Sequence, residues 1–504
     1  MNSTSFFSEL LTTIADRGRS VLPRSWVGTP IGARADLVQL ARDLVSRRGE
    51  ASGVALAREI FTRWDVLEAS ERREFLIHLV EEFGADTGQL EQAITSWRDD
   101  PSPNTLRQLG AAAEPKRQEL IRRLNLAPGG TRRLVKLREE IARHEESYPA
   151  LSALDADFQH LFSSWFNRGF LVLRRIDWST PASILEKIIR YEAVHAIQDW
   201  DDLRRRIEPQ DRRLFAFFHP QMVDEPLIFV EVALTTAIPA AIEPLLKEGE
   251  PQIAVEQATT AVFYSISNCQ EGLRGVSFGN FLIKQVVEDL KRELPALKSS
   301  VTLSPVPGFA AWLARERASP SSDVLTAADR AALKPLDTAD WPKAPAKLLD
   351  PLKEALLAAA AYYFLRAKTA KGRPVDAVAR FHLGNGARLE RMNFLGDRSA
   401  KGLAQSHGLM VNYLYVLDEI ERNHETFAEK GTVASAAGVK AHLRAAAARA
   451  PRLPLLTGPA SQPDKAAAAV LAEVTASKSK PWAVKPAAKT TAAVEPAKTK
   501  PAKG

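Results

Sequence analysis

The chain has 504 residues, of which 45% are hydrophobic and 26% charged, and its formal net charge is +7. That length gives two or three folding units with ample core, and the composition is that of an ordinary globular protein, not a fibrous or wholly disordered one. The basic balance does not point to nucleic acid: residues 455–504 hold eight Lys against three Asp or Glu, so the rest of the chain carries only 7 − 5 = +2 and has no basic footprint.

Residues 1–30 read as a flexible N-terminus ending near Pro23, Gly28 and Pro30. Residues 1–10 lack a basic segment followed by an apolar core, so no secretory signal is expected and the cytoplasm is the expected location. The single cysteine, Cys269, excludes an internal disulfide and suits a reducing compartment.

From 31 to 150 the pattern is helical. Leu37, Leu40 and Leu44, then Leu56, Ile60 and Trp64, then Phe75, Leu79 and Phe83, and finally Leu134, Leu137 and Ile141 recur at three- and four-residue spacing. Pro101, Pro103 and Pro128-Gly-Gly130 punctuate the helices, and Tyr148-Pro149 closes the region. It holds no convergent polar constellation, which predicts a packing or oligomerisation domain.

Strand signals begin after 150. Residues 226–234, 260–267, 300–304 and 409–416 read as strands, and 183–194, 279–295, 308–317 and 350–369 as helices. The fold class expected is α+β: an all-helical N-terminal domain followed by a mixed α/β domain over 151–445. The longest apolar run, 355–365, has eleven residues, short of the ~20 that cross a bilayer, so no membrane is expected. The nine histidines form no His-x-x-x-His pair and no Cys/His cluster has ligand spacing, so no metal is expected. Residues 455–504, rich in Lys, Ala and Pro, are expected to be a disordered tail.

Four segments bear chemistry. The first is Gln270-Glu-Gly-Leu-Arg-Gly-Val-Ser-Phe-Gly279, between a strand-like and a helix-like run. Strand, glycine-rich turn, helix is how free backbone N–H groups are aimed at a phosphate, and glycines 272, 275 and 279 let a ligand approach closely. The downstream chain lacks the repeated units and ribose acid of a Rossmann turn, and no Gly-Lys-Ser/Thr makes it a Walker loop. Arg274-Gly-Val-Ser-Phe-Gly279 is similar to the Arg/Gln-x-x-Gly-x-Gly/Ala pyrophosphate loop of the GNAT acyl-CoA superfamily, with Ser277 at the middle glycine; an ordinary strand-to-helix turn is the competing reading. The second is Ser304, at a strand end before Pro305 and Pro307, where it either faces the turn as a hydroxyl or caps helix 308–317. The third is His382 in Arg380-Phe-His-Leu-Gly-Asn-Gly-Ala387, read as a loop histidine suited to acid–base work at neutral pH, with a structural histidine as the competing reading and His219 and His407 in similar contexts. The fourth is Asn412-Tyr-Leu-Tyr415, which puts Tyr413 and Tyr415 on one face of a strand.

Taken with Phe158-Gln-His-Leu-Phe-Ser-Ser-Trp-Phe166, Phe263-Tyr-Ser-Ile-Ser267, Gly279-Asn-Phe-Leu-Ile-Lys284, Leu303-Ser-Pro-Val-Pro-Gly-Phe309, Phe381-His-Leu383 and Gly408-Leu-Met-Val-Asn-Tyr413, the chain resembles the malonyl-CoA decarboxylases over about 151–417. The resemblance implies a helical domain joined to a GNAT-like catalytic domain, and conversion of malonyl-CoA to acetyl-CoA and CO2 with no added cofactor; a homo-oligomer through the helical domain is the expectation from the helical region itself. It puts the family's catalytic serine on Ser304 and its histidine on His382, with a less defined role for Tyr415. Its CoA loop falls on Arg274, Gly275, Val276, Ser277, Phe278, Gly279 and Asn280. The alternatives are an acyl-CoA-dependent N-acyltransferase on the same fold and a non-catalytic CoA-binding or interaction protein.

Overall fold

A computed structural model of the chain describes residues 12–14, 16–17, 34–46, 49–249, 252–276, 278, 282–370 and 372–444. The tail expected at 455–504 and most of the N-terminus lie outside these residues. No helix among them is long and apolar enough to cross a membrane.

The N-terminal part is helical, from Arg34–Val45 to Leu151–Trp165. The periodic positions do what their spacing predicts: Leu37, Leu44, Leu56, Ile60, Phe75, Leu134 and Ile141 share one core. That core runs past Tyr148-Pro149. Helix Leu151–Trp165 sends Leu154, Phe158 and Phe162 into it, and Phe158, Phe162 and Phe166 meet edge to face at 5.4 Å per pair. Pro128-Gly-Gly130 turns the chain sharply. Gly129 has φ +67°, and a Cβ on Gly130 would lie 2.4 Å from the Leu124 carbonyl, so no other residue fits there.

The second part is one mixed sheet. β1 (Val172–Ile176), β2 (Arg212–Phe218), β3 (Pro226–Thr235) and β4 (Thr260–Asn268) pair antiparallel in sequence order. β5 (Ser299–Thr302) then runs parallel to β4, which the intervening helix Leu282–Glu293 permits. β8 (Met410–Tyr415) pairs antiparallel with β5, with the short β6 (Ser304–Pro305) and with β7 (Arg388–Asn393). This is the α+β arrangement expected of the chain: an antiparallel sheet with one parallel crossover that follows the glycine turn. Both faces are covered. Helices Leu282–Glu293, Phe309–Ala318 and Ala346–Leu365 pack on one, and Ala182–Tyr191, Trp200–Ile207 and Glu243–Leu246 on the other. β3 is buried along almost its whole length, so it reads as a continuous apolar run.

Two irregularities shape the sheet. A bulge in β4 sets Glu231 opposite Ser265 but Val232 opposite Phe263, so Tyr264 is the extra residue. And β4 parts from β5. Their pairing ends at Phe263–Thr302, while β4 continues to Asn268 against β3 alone. Residues 264–268 therefore have no strand partner on the β5 side. The strand predicted over 300–304 is likewise two pieces, broken at Leu303, whose N–H bonds the Phe263 carbonyl at 3.0 Å.

Candidate active site

The fork between β4 and β5 brings the predicted polar residues together. Ser304 and His382, 78 residues apart in sequence, meet with Oγ 3.1 Å from Nε2. The other ring nitrogen, Nδ1, lies 2.9 Å from the Tyr415 hydroxyl. Tyr413 lies against the imidazole, ring centres 4.6 Å apart and planes 24° off parallel. The two tyrosines of one strand face thus fix the histidine twice, by stacking and by hydrogen bond.

Ser304 is 5% exposed and does not cap a helix. The helix Phe309–Ala318 has Gly308 at its N-cap, and the Ser304 hydroxyl instead donates to Thr302 Oγ1 at 2.9 Å. His382 is not in a loop, as its neighbouring glycines suggested. It lies near the end of helix Ala377–Gly384, whose N-cap Asp376 accepts from the Ala379 N–H at 2.7 Å. The glycines belong to the turn that ends the helix: Gly386 has φ +80°, and its Cβ would lie 2.2 Å from the Ile420 carbonyl.

Burial governs the protonation of these groups. It pushes His382 down to about 3, because the imidazolium loses its hydration and no carboxylate faces it. It pushes the Tyr415 phenol well above its ordinary value for the same reason. Both groups are therefore uncharged at neutral pH.

His219 and His407 stand apart from this cluster. His219 Nε2 lies 3.1 Å from the Trp165 carbonyl and the ring packs on Phe166, so it is a core histidine joining sheet and helices. His407 ends helix Ala400–Ser406 with φ 52° and packs beside Trp341.

The glycine turn is partly described: Ser277, Gly279 and Asn280 lie outside the described residues. What precedes them is anchored. Gly275 takes φ +78°, Arg274 is exposed, Val276 is buried and Phe278 meets Phe166 at 6.5 Å. Gly272 differs from expectation. Its Cβ would lie 1.9 Å from the Val135 carbonyl, so it permits close approach of helix Gly130–His144 and not of a ligand. Arg138 of that helix donates to the Gly272 carbonyl at 2.9 Å and pairs with Asp155 at 2.7 Å. Leu273 and Val276 sit in the helical core. The helical region, which carried no recognisable chemistry, is the bed on which the turn rests. The hint in the sequence was that apolar residues sit at 273, 276 and 278 of the loop.

A strand fork, a glycine turn anchored on the helical region and a buried Ser–His pair thus lie in one α+β domain. Comparison with known proteins makes the identification particular. The malonyl-CoA decarboxylase C-terminal domain model matches residues 169–452, and the N-terminal domain model residues 83–166. Malonyl-CoA decarboxylase, mitochondrial, of Anser anser anser is 35% identical over 394 residues, 72% of this chain and 78% of that protein. The Mus musculus protein of the same name is 34% identical over 395 residues, 71% of this chain and 78% of that one. Among solved structures, malonyl-CoA decarboxylase from Rhodopseudomonas palustris is 59% identical with a TM-score of 0.78, covering 81% of this chain and all of that one. The Agrobacterium vitis enzyme gives 58% and 0.77, covering 81% and 99%. The chain belongs to the malonyl-CoA decarboxylase family.

Proposed function

We propose that the chain decarboxylates malonyl-CoA at the β4–β5 fork, with Ser304 orienting the carboxylate and His382 protonating the carbon it leaves. The observation that carries this is the 3.1 Å Ser304–His382 contact, buried beside the open edge of β4. The backbone of 264–268 offers N–H and C=O groups to the amides of a pantetheine arm, as an edge strand does to an added strand. The arm then leads the thioester in and leaves the pyrophosphate at the turn from Arg274 to Asn280, toward the N-terminus of helix Leu282–Glu293.

The chemistry follows from charge. The C–C bond to the carboxylate breaks, its electron pair moves into the thioester carbonyl as an enolate, and CO2 departs. In this reading a backbone N–H near the β4 bulge donates to the enolate oxygen. The thioester carbonyl is itself the electron sink, so no added cofactor or metal is required. A neutral hydroxyl orients the carboxylate without the strong ground-state stabilisation of a cation, in a site where the hydrogen-bonding partners of Ser304 and His382 are Thr302 and Tyr415. The entering carboxylate brings a charge beside the imidazole and so raises its affinity for a proton. That proton, taken up from solvent as the substrate binds, adds at Nδ1, and the Tyr415 hydroxyl turns from donor to acceptor. The Nε2 proton is then transferred to carbon, which leaves His382 neutral and protonated at Nδ1, and proton exchange with solvent after product release restores the Nε2–H form.

Incubation with malonyl-CoA alone should yield acetyl-CoA and CO2 with no acyl acceptor; no acetyl-CoA overturns the reading. Ser304→Ala and His382→Ala should each lose most turnover, on the order of the 10²–10⁴-fold that a positioned acid supplies, with the fold retained. We further infer a homo-oligomer through the helical region. Helices Thr87–Asp99 and Pro103–Ala113 bury only Ala93 and Thr105, and they expose Trp97 and Leu106. A Trp97→Lys, Leu106→Lys double variant should lower the mass measured by light scattering. The cytoplasm remains the proposed location, in keeping with a buried free thiol at Cys269.

A further inference from the structure

The strand ladder is interrupted where the site is built. Val301 pairs with Leu414 and Ser304 with Val411, but Thr302 and Leu303 face Tyr413 and Asn412 without ladder bonds. Side chains take over. The Tyr413 N–H donates to Thr302 Oγ1 at 3.1 Å, and Asn412 Nδ2 donates to the Thr302 carbonyl at 2.8 Å. Asn412 is held from behind, its Oδ1 accepting from Asn393 Nδ2 at 2.8 Å and from Arg391 Nε at 3.1 Å. Thr302, fully buried and β-branched, has its hydroxyl fixed in one orientation, and that hydroxyl accepts the Ser304 proton.

We propose that Thr302 is a positioning residue for the reaction: by holding the Ser304 proton it makes His382 Nε2 a donor toward the reacting centre. This rests on the reading that Ser304 and His382 act on the substrate. Ser304 has a single proton. Given to Thr302, it is not available to Nε2, so Nε2 must donate across the 3.1 Å contact. Nδ1 then keeps its lone pair and accepts from Tyr415, for which the imidazole is the sole hydrogen-bonding partner among the described residues. In the opposite direction Ser304 donates to Nε2, Nδ1–H donates to Tyr415, and the buried phenol proton is left without an acceptor, an unfavourable state. The two tautomers are therefore not equivalent, and Thr302 selects the one that can protonate carbon. When the carboxylate arrives, the Ser304 proton moves from one oxygen acceptor to another and never to Nε2.

The test compares Thr302→Val, which removes the hydroxyl at constant shape, with Thr302→Ser, which keeps it. Thr302→Val should lower kcat roughly 10–100-fold, part of what a general acid contributes, with KM nearly unchanged. Thr302→Ser should restore kcat to within about threefold of the parent. In ¹⁵N-histidine spectra of the parent enzyme, the signal that disappears in His382→Gln should be protonated at Nε2 and bare at Nδ1. If Ser304→Ala or His382→Ala is fully active, the functional reading fails and this inference with it. If those variants are inactive but Thr302→Val turns over normally, the inference alone fails. Equal damage from Val and Ser assigns Thr302 to packing and overturns it. A parent His382 protonated at Nδ1 also overturns it, whether or not Thr302→Val folds.

Discussion

Burial makes His382 unusual before any substrate is present. Its folded value near 3 lies below the ordinary 6.5, so the folded chain resists a proton that the unfolded chain accepts. The sign follows: the associated stability is complete above pH 6.5 and is lost as the pH falls toward about 3. His195, also pushed down to about 3, and His407, to about 4, act in the same direction, so the contribution of His382 is read by difference. His382→Gln should flatten part of the acid limb of a Tm-against-pH curve, and an unchanged limb would refute the buried neutral imidazole. Gly272 makes a second single-residue case. A Cβ there meets the Val135 backbone, which cannot swing aside as a side chain can. Gly272→Ala should destabilise by about 1–3 kcal/mol and shift the turn that follows. The expected kinetic result is a raised KM for malonyl-CoA with kcat less affected; an unchanged KM would detach the turn from substrate binding.

Elements differ in how plainly the sequence announces them. β3 and β4 are apolar runs because both faces of the sheet are covered, and the side chains of β8 alternate between faces so that Tyr413 and Tyr415 share one. β7, Arg-Leu-Glu-Arg-Met-Asn, reads as polar and was not expected; Arg391 and Asn393 are satisfied by Asn412, which only the fold brings near. β2 opens with two arginines, and Arg213 finds its partner, Glu293, 80 residues away at 2.7 Å. The same distance effect hid half the site. Ser304 and His382 stand beside proline and glycine and invite attention, whereas Thr302 and Asn412 are small polar residues in strands with no local sign of their role. The far face of the sheet carries another such pair. Arg206 of helix Trp200–Ile207 bonds Glu231 of β3 at 2.8 Å, both buried. Arg206→Met strands a carboxylate and should cost about 3–5 kcal/mol, whereas Arg206→Met with Glu231→Leu should recover most of it. Chemical denaturation of both variants checks this, and equal losses would show that packing, not charge pairing, holds the helix.

The helical and sheet regions are not independent. The described residues up to 444 belong to one compact unit, and the helical core takes in Met222, Leu227, Leu273 and Val276 from the sheet region. Leu273 and Val276 flank Arg274 and Gly275, so the helices bear directly on the turn to which we assign the pyrophosphate. Arg138, bonded to Gly272 across 134 residues, is one tie between them. Without the helical region these apolar side chains face water and the turn loses its bed. Residues 167–452 produced alone should therefore bind a hydrophobic dye, unfold without a sharp transition and form little acetyl-CoA. The intact chain should melt in a single calorimetric transition, because separating the two regions would expose one continuous core. Removing residues 458–504 should leave that transition and kcat unchanged, since the family domain models match residues 83–166 and 169–452 and end before them. Two resolved transitions in the intact chain, or normal kcat/KM from 167–452, would show that the helices assemble the enzyme without building its substrate site.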